Sequence, residues 1–298
     1  MHGHDRHAAA AHSRRRLLLA LGLSATTMLA EAVGGLWTGS LALLADAGHM
    51  LSDVCALSLS VLALTLVQRP RGPQQTYGHH RTEILAALAN GILLVAVSIS
   101  IGIESVARLG RPTPILAGPM LAIASLGLAV NLAALGLLWR GRRHDLGVRG
   151  AWLHVAGDAL GSVGAIAAGA LVLAFSWSWA DPVASLLISG LVLWSAFALL
   201  REAVGVLMEW APPHLDVREI ERALQGLPGV TAVHDLHVWT IASGMVALSG
   251  HVVAGDDRDT RKLLQELSDL LHERFEISHS TIQIESRDFD EPGGVCFT

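Results

Sequence analysis

Leu41-Ala-Leu-Leu-Ala-Asp46-Ala-Gly-His49-Met-Leu-Ser-Asp53-Val-Cys55 opens an apolar run that continues to Val67. Roughly 20 apolar residues suffice to cross a bilayer as a helix, and this run is long enough. An ionised aspartate at the centre of such a helix costs about 3 kcal/mol unless it is paired or hydrated. Aspartates inside the run therefore ask for a purpose. His49 and Asp53 stand four apart, so one helix face presents both.

The same pattern recurs further along. Trp152-Leu-His154-Val-Ala-Gly-Asp158-Ala-Leu lies at the start of the apolar run Ala151–Phe175, again with His-x-x-x-Asp. If the two faces meet, two imidazoles and two carboxylates form a tetrahedral set suited to zinc. One such pair fits a hydrogen bond that merely ties helices together; two matching pairs in oppositely directed helices favour ligation. Nitrogen and oxygen donors without thiolate also suit cobalt and nickel, whereas calcium and magnesium prefer oxygen alone. Ligation requires neutral imidazole, so protons and metal compete at His49 and His154. Asp46, three residues before His49, reads as a supporting acceptor or an entrance charge. Glu31, Asn90, Ser105 and Asn131 read as hydrogen-bonding groups between helices, and Cys55 as a small packing residue. Gly157, Gly161 and Gly164 allow a close neighbour to the fifth run.

The rest of the chain fits a membrane protein. Of its 298 residues 52% are hydrophobic and 16% charged, too apolar a balance for a soluble domain. Six runs are long enough to span: Leu17–Trp37, Leu41–Val67, Ile84–Val106, Ile115–Trp139, Ala151–Phe175 and Pro182–Leu207. Ser13-Arg14-Arg15-Arg16 before the first also fits a twin-arginine signal; the five later runs and the tight Trp37–Ser40 connection favour a span. Arg6, Arg14, Arg15, Arg16, Arg69, Arg71, Arg81, Arg140, Arg142, Arg143 and Arg149 lie on one side, against Arg108 and Arg111 on the other. That bias places both termini in the cytoplasm, in a cell or inner membrane. Residues 1–16 read as a disordered, His-containing cytoplasmic segment, 17–210 as six membrane helices and 211–298 as a cytoplasmic domain.

From Pro212 onward there are 15 acidic and 7 basic residues, against 11 and 14 before it, so nucleic acid is not an expected partner. Val217–Leu224 has helical spacing, Pro228-Gly229 breaks it, and Val230–Ile241 and Met245–Val253 read as strands about a Ser243-Gly244 turn. Leu263, Leu264, Leu267, Leu270 and Leu271 form a helical stripe, and Thr281–Glu285 alternates like a strand. The tail is thus a small α+β domain. Its candidate ligands are His234, His237, His251, His279 and Glu285; spacing alone puts His234 and His237, three apart, on opposite strand faces.

Leu-Ala-Asp46-Ala-Gly-His49 through Asp53, Tyr77-Gly-His79-His80-Arg-Thr-Glu83-Ile, the His154/Asp158 pair and the tail together resemble the cation diffusion facilitator family, its zinc-exporter branch in particular. The resemblance covers nearly the whole chain. It implies a homodimer with a ferredoxin-like tail that exchanges zinc for protons, with His49, Asp53, His154 and Asp158 as transport ligands. His49 in place of an aspartate implies zinc over cadmium. The family pattern brings His234, His251 and Glu285 together near a dimer interface, while His279 sits one residue off a position used by some relatives. His79 and His80 fall where some members bind a further metal, or else form a polar turn. Broader exporters of cadmium, cobalt, nickel or iron, and a membrane metal sensor, remain as alternatives. An intramembrane metalloenzyme is disfavoured, since no His-Glu-x-x-His is present and four protein ligands leave no open position.

Overall fold

A computed structural model describes residues 22–66, 76–111, 113–139, 146–242, 244–255 and 258–287. The expected N-terminal histidine segment and Cys296 lie outside the described residues. The chain divides into two compact units, one of residues 1–68 and 86–200, the other of 69–85 and 201–298.

The first unit is helical: α1 (22–38 within the described residues), α2 (Leu41–Leu66), α3 (Thr82–Gly110), α4 (Ala117–Leu138), α5 (Leu146–Phe175) and α6 (Ala180–Leu207). Four stretches among the described residues are long and apolar enough to cross a membrane: α3, Ala117–Gly136 of α4, Val155–Phe175 of α5, and α6. In α2 only Leu41–Ser52 qualifies, as a shorter apolar stretch. The interior is built from small side chains, with Ala42, Ala45, Ala124, Ala165, Ala168 and Ala196 buried. Small residues let helices approach closely where no water drives them together. Outward, Ile103 on α3 and Leu187, Leu191 and Trp194 on α6 stay exposed, as suits a surface wetted by lipid tails. Phe175, Trp177 and Trp179 in the α5–α6 connection stack successively, with ring centroids 5.2 Å apart in each pair. The amphipathic tryptophan rings settle at the edge of a bilayer.

The corner between α1 and α2 fixes where α2 begins. Gly39 turns there at φ +74°, a conformation that glycine adopts without strain. Its carbonyl accepts from Arg108 Nη1 at 2.5 Å, and the Thr38 carbonyl accepts from the Leu116 amide at 3.0 Å. Asp181, fully buried in the first turn of α6, caps α2 from across the bundle. Its carboxylate accepts from Ser40 Oγ at 2.5 Å and from the Leu41 and Ala42 amides at 2.9 and 3.2 Å. A helix start has unpaired amides and a partial positive charge, and a carboxylate answers both.

The second unit contains α7 (Val217–Gln225), β1 (Val230–Ala242), β2 (Met245–Ala254), α8 (Thr260–Phe275) and β3 (His279–Glu285). This is the order expected for a small α+β domain. Asp216 and Asp259 cap the two helices by accepting from the Arg218 and Arg261 amides, each at 2.9 Å. The sheet runs β1-β2-β3, antiparallel in the first pair and parallel in the second, with α8 as the crossover. Ile220, Leu224, Val238, Leu248, Leu263 and Leu267 form its core. The stripe of α8 is narrower than expected: Leu263, Leu267, Leu271 and Phe275 are buried, whereas Leu264 is exposed.

One expectation about β1 is overturned. His234 pairs with His251 and His237 with Ser249, so two residues of β1 bulge opposite Gly250. Asp235 sits in that bulge at φ +49°. The extra residue reverses the alternation, and His234 and His237 end on the same face, the one away from the core. Gly250 leaves room for it, because a Cβ there would stand 2.9 Å from Leu236 Cδ1.

Candidate metal centres

In the helical unit, α2 and α5 meet at the paired motifs. His49 Nε2 lies 3.3 Å from Asp158 Oδ1, joining the histidine of one motif to the aspartate of the other. Asp158 is buried, while the His49 side chain keeps 27% of its surface exposed. Asp53 and His154 belong to the same two helices, but their side chains lie outside the described residues. Asp46, one turn before His49, is buried and accepts from Ser162 Oγ at 3.3 Å. Gly161 makes room for it, since a Cβ there would run into the Asp46 carboxylate. Of the groups read as ties between helices, Asn90 is one: its Nδ2 donates to Ser52 Oγ at 3.1 Å and fixes α3 against α2. Ser105 instead bonds its own helix, at the Ile101 carbonyl. Glu31 was expected to tie helices together as well, and it does not. It is 1% exposed, yet neither carboxylate oxygen has a hydrogen-bond partner among the described residues.

In the second unit, His234, His251 and Glu285 converge on the outer sheet face, each offering a ligand atom within 4.8 Å of the others. Glu285 is buried and uses both oxygens, with His234 Nε2 at 3.1 Å from Oε2 and His251 Nδ1 at 2.9 Å from Oε1. Gln283 Nε2 donates to the same carboxylate at 2.8 Å. Parallel pairing sets Gln283 beside His251, and Glu285 follows two residues on, over the same face. Two imidazoles and one carboxylate are a donor set that zinc accepts, with room for one further ligand. Asp235, placed by the bulge, extends the network: Oδ1 lies 3.0 Å from His237 Nε2, and Oδ2 is 3.9 Å from His251 Nε2. Spacing could not reveal Asp235, because only the bulge turns it toward the histidines.

The loop histidines and His279 lie elsewhere. His79 and His80 are half-buried in the turn before α3, where the His79 carbonyl accepts from the Thr82 amide at 3.0 Å. Neither joins a three-ligand group among the described residues. His279 meets Tyr77 edge-on, with ring centroids 6.0 Å apart.

A family model described as the cation efflux transmembrane domain matches residues 17–208, and another, the cation efflux protein cytoplasmic domain, matches 212–287. The chain belongs to the cation efflux family. The resemblance carried by the paired motifs thus named the right family, and this cation efflux protein is a membrane transporter by family. Its relatives include zinc transporter ZitB of Escherichia coli K12, 44% identical across 92% of this chain and 88% of that protein. CzcD of Cupriavidus metallidurans, named a metal cation efflux system protein, is 41% identical across 95% and 89%. A Bacillus velezensis protein named a cadmium, cobalt and zinc/H(+)-K(+) antiporter is 39% identical across 95% and 92%. Among solved structures, the metal-bound C-terminal domain of the CzcD transporter is 39% identical over 24% of this chain and 99% of its own, at a TM-score of 0.23.

Proposed function

We propose that this cation efflux protein exports zinc from the cytoplasm in exchange for protons, using His49, Asp53, His154 and Asp158 as the transport ligands. The observation that carries the reading is the 3.3 Å approach of His49 to Asp158, which joins the two repeated motifs across α2 and α5. Both groups can turn a donor atom toward one zinc, which would take the place of that contact. Imidazole must be unprotonated to ligate, so each arriving zinc displaces protons and each arriving proton weakens the site. Relatives named zinc transporters and a zinc antiporter support the choice of ion and the exchange. The six apolar runs and the arginine bias support six spans with both termini in the cytoplasm, and the cytoplasmic-domain match supports a homodimer in which His234, His251 and Glu285 hold a regulatory zinc.

A broader metal range is the second reading, favoured by the cadmium and cobalt in one relative's name. A sensor that signals without transport is the third. Proteoliposomes holding the purified protein alone separate all three. Zinc-dependent proton release across a panel of divalent ions supports the exporter, comparable flux for cadmium and cobalt supports the broader range, and no flux leaves a sensor.

A further inference from the structure

The helical unit gathers more carboxyl groups than a zinc site needs. Glu31 on α1, Asp46 on α2 and Asp158 on α5 are all buried. Glu31 Oε1 points at α4, where a Cβ on Gly127 would run into it, and that same point is 3.6 Å from Ser162 Oγ on α5. Ser162 in turn donates to Asp46 at 3.3 Å. Ser162 therefore neighbours both carboxylates. Facing Glu31 are thus the Asp46–Ser162 pair from α2 and α5 and bare backbone from α4. His49 already stands with Asp158. Both Glu31 oxygens lack a hydrogen-bond partner among the described residues, and an uncompensated carboxylate at this depth is expensive. A cation answers all of this at once.

We infer that Glu31, Asp46 and Ser162 form a second cation position, which holds a further exchanged ion beside the protons displaced from the imidazoles. The donors are oxygen only, which disfavours zinc relative to the histidine site and favours a hard cation. That cation is a proton or an alkali ion. Ser162 stands one turn after Asp158 on α5, so cations at the two positions repel each other and filling one favours emptying the other. The inference rests on the exchange reading above and adds the residues that make the exchange obligatory.

The test uses the full-length protein in proteoliposomes and the isosteric change Glu31→Gln. Two fluxes are measured: zinc-for-zinc exchange at equal zinc and without gradients, and uphill zinc movement driven by an opposing gradient of protons, potassium or sodium in separate arms. Glu31→Gln is expected to keep zinc-for-zinc exchange within about threefold of the parent and to lose at least tenfold of gradient-driven movement. The arm that drives the parent names the cation. Gradient-driven movement intact in Glu31→Gln overturns the inference. So does loss of both fluxes, which would make Glu31 part of the zinc site or of the fold. If no gradient drives the parent, while zinc-for-zinc exchange persists, the exchange reading itself fails. Ser162→Ala serves as the companion variant, expected to weaken coupling in the same direction without touching a carboxylate.

Discussion

Asp158 and Gly161 are one turn apart on α5, and they divide the chemistry of the site from its space. Asp158→Ala removes the partner of His49, and we expect zinc flux to fall at least a hundredfold while the protein still elutes as a folded particle; Asp53→Ala should match it. Normal flux in either variant would remove the proposed site. Gly161→Ala adds a methyl that collides with Asp46, whereas Gly157→Ala meets nothing within 4 Å among the described residues. Both changes raise helix propensity equally. Flux should therefore drop several-fold in Gly161→Ala and stay unchanged in Gly157→Ala, and equal loss in the two would trace the effect to helix stiffness instead. The His-x-x-x-Asp pairs were legible because four-residue spacing is a local property of a helix. The isolation of Glu31 was not, since it depends on which atoms of α4 and α5 come alongside.

The elements carry constraints of longer reach. Asp181 caps a helix that begins 140 residues earlier, and nothing near Asp181-Pro182 in the sequence announces this. Asp181→Ala leaves two amides and a hydroxyl without their acceptor, and a lost cap costs about 1–2 kcal/mol. A fall in melting temperature of several degrees should follow, with Asp181→Asn intermediate; no change would mean that Ser40, which also accepts from the Leu43 amide, suffices alone. The bulge in β1 is similarly hidden. Strand, helix and turn order in the tail followed from apolar spacing and from Pro228-Gly229. One extra residue at Asp235 nevertheless moved His237 to the other face, because alternation counts residues and a bulge miscounts by one.

For the whole molecule, the proposed zinc site of the tail and the proposed membrane site should be separable. Glu285 contacts both His234 and His251, so Glu285→Gln should remove about one bound zinc per chain in a direct titration of the full-length protein. Zinc should also cease to raise the melting temperature at the tail, because a ligand stabilises only the fold that binds it. Maximal flux should change by less than about twofold, and a collapse of flux would show that the two sites work as one. The helices add a last consequence. α3, α5 and α6 contain 29, 30 and 28 residues, hence about 42–45 Å of rod, against about 30 Å of hydrocarbon. α4, with 22 residues, runs only about 33 Å. Tilt or protrusion must absorb the difference, and the Phe175–Trp177–Trp179 stack anchors one edge of it. Acyl-chain length is then a control on the transporter: a bilayer of short lipids and one of long lipids would hold the same sequence at different tilts, and flux should register the change.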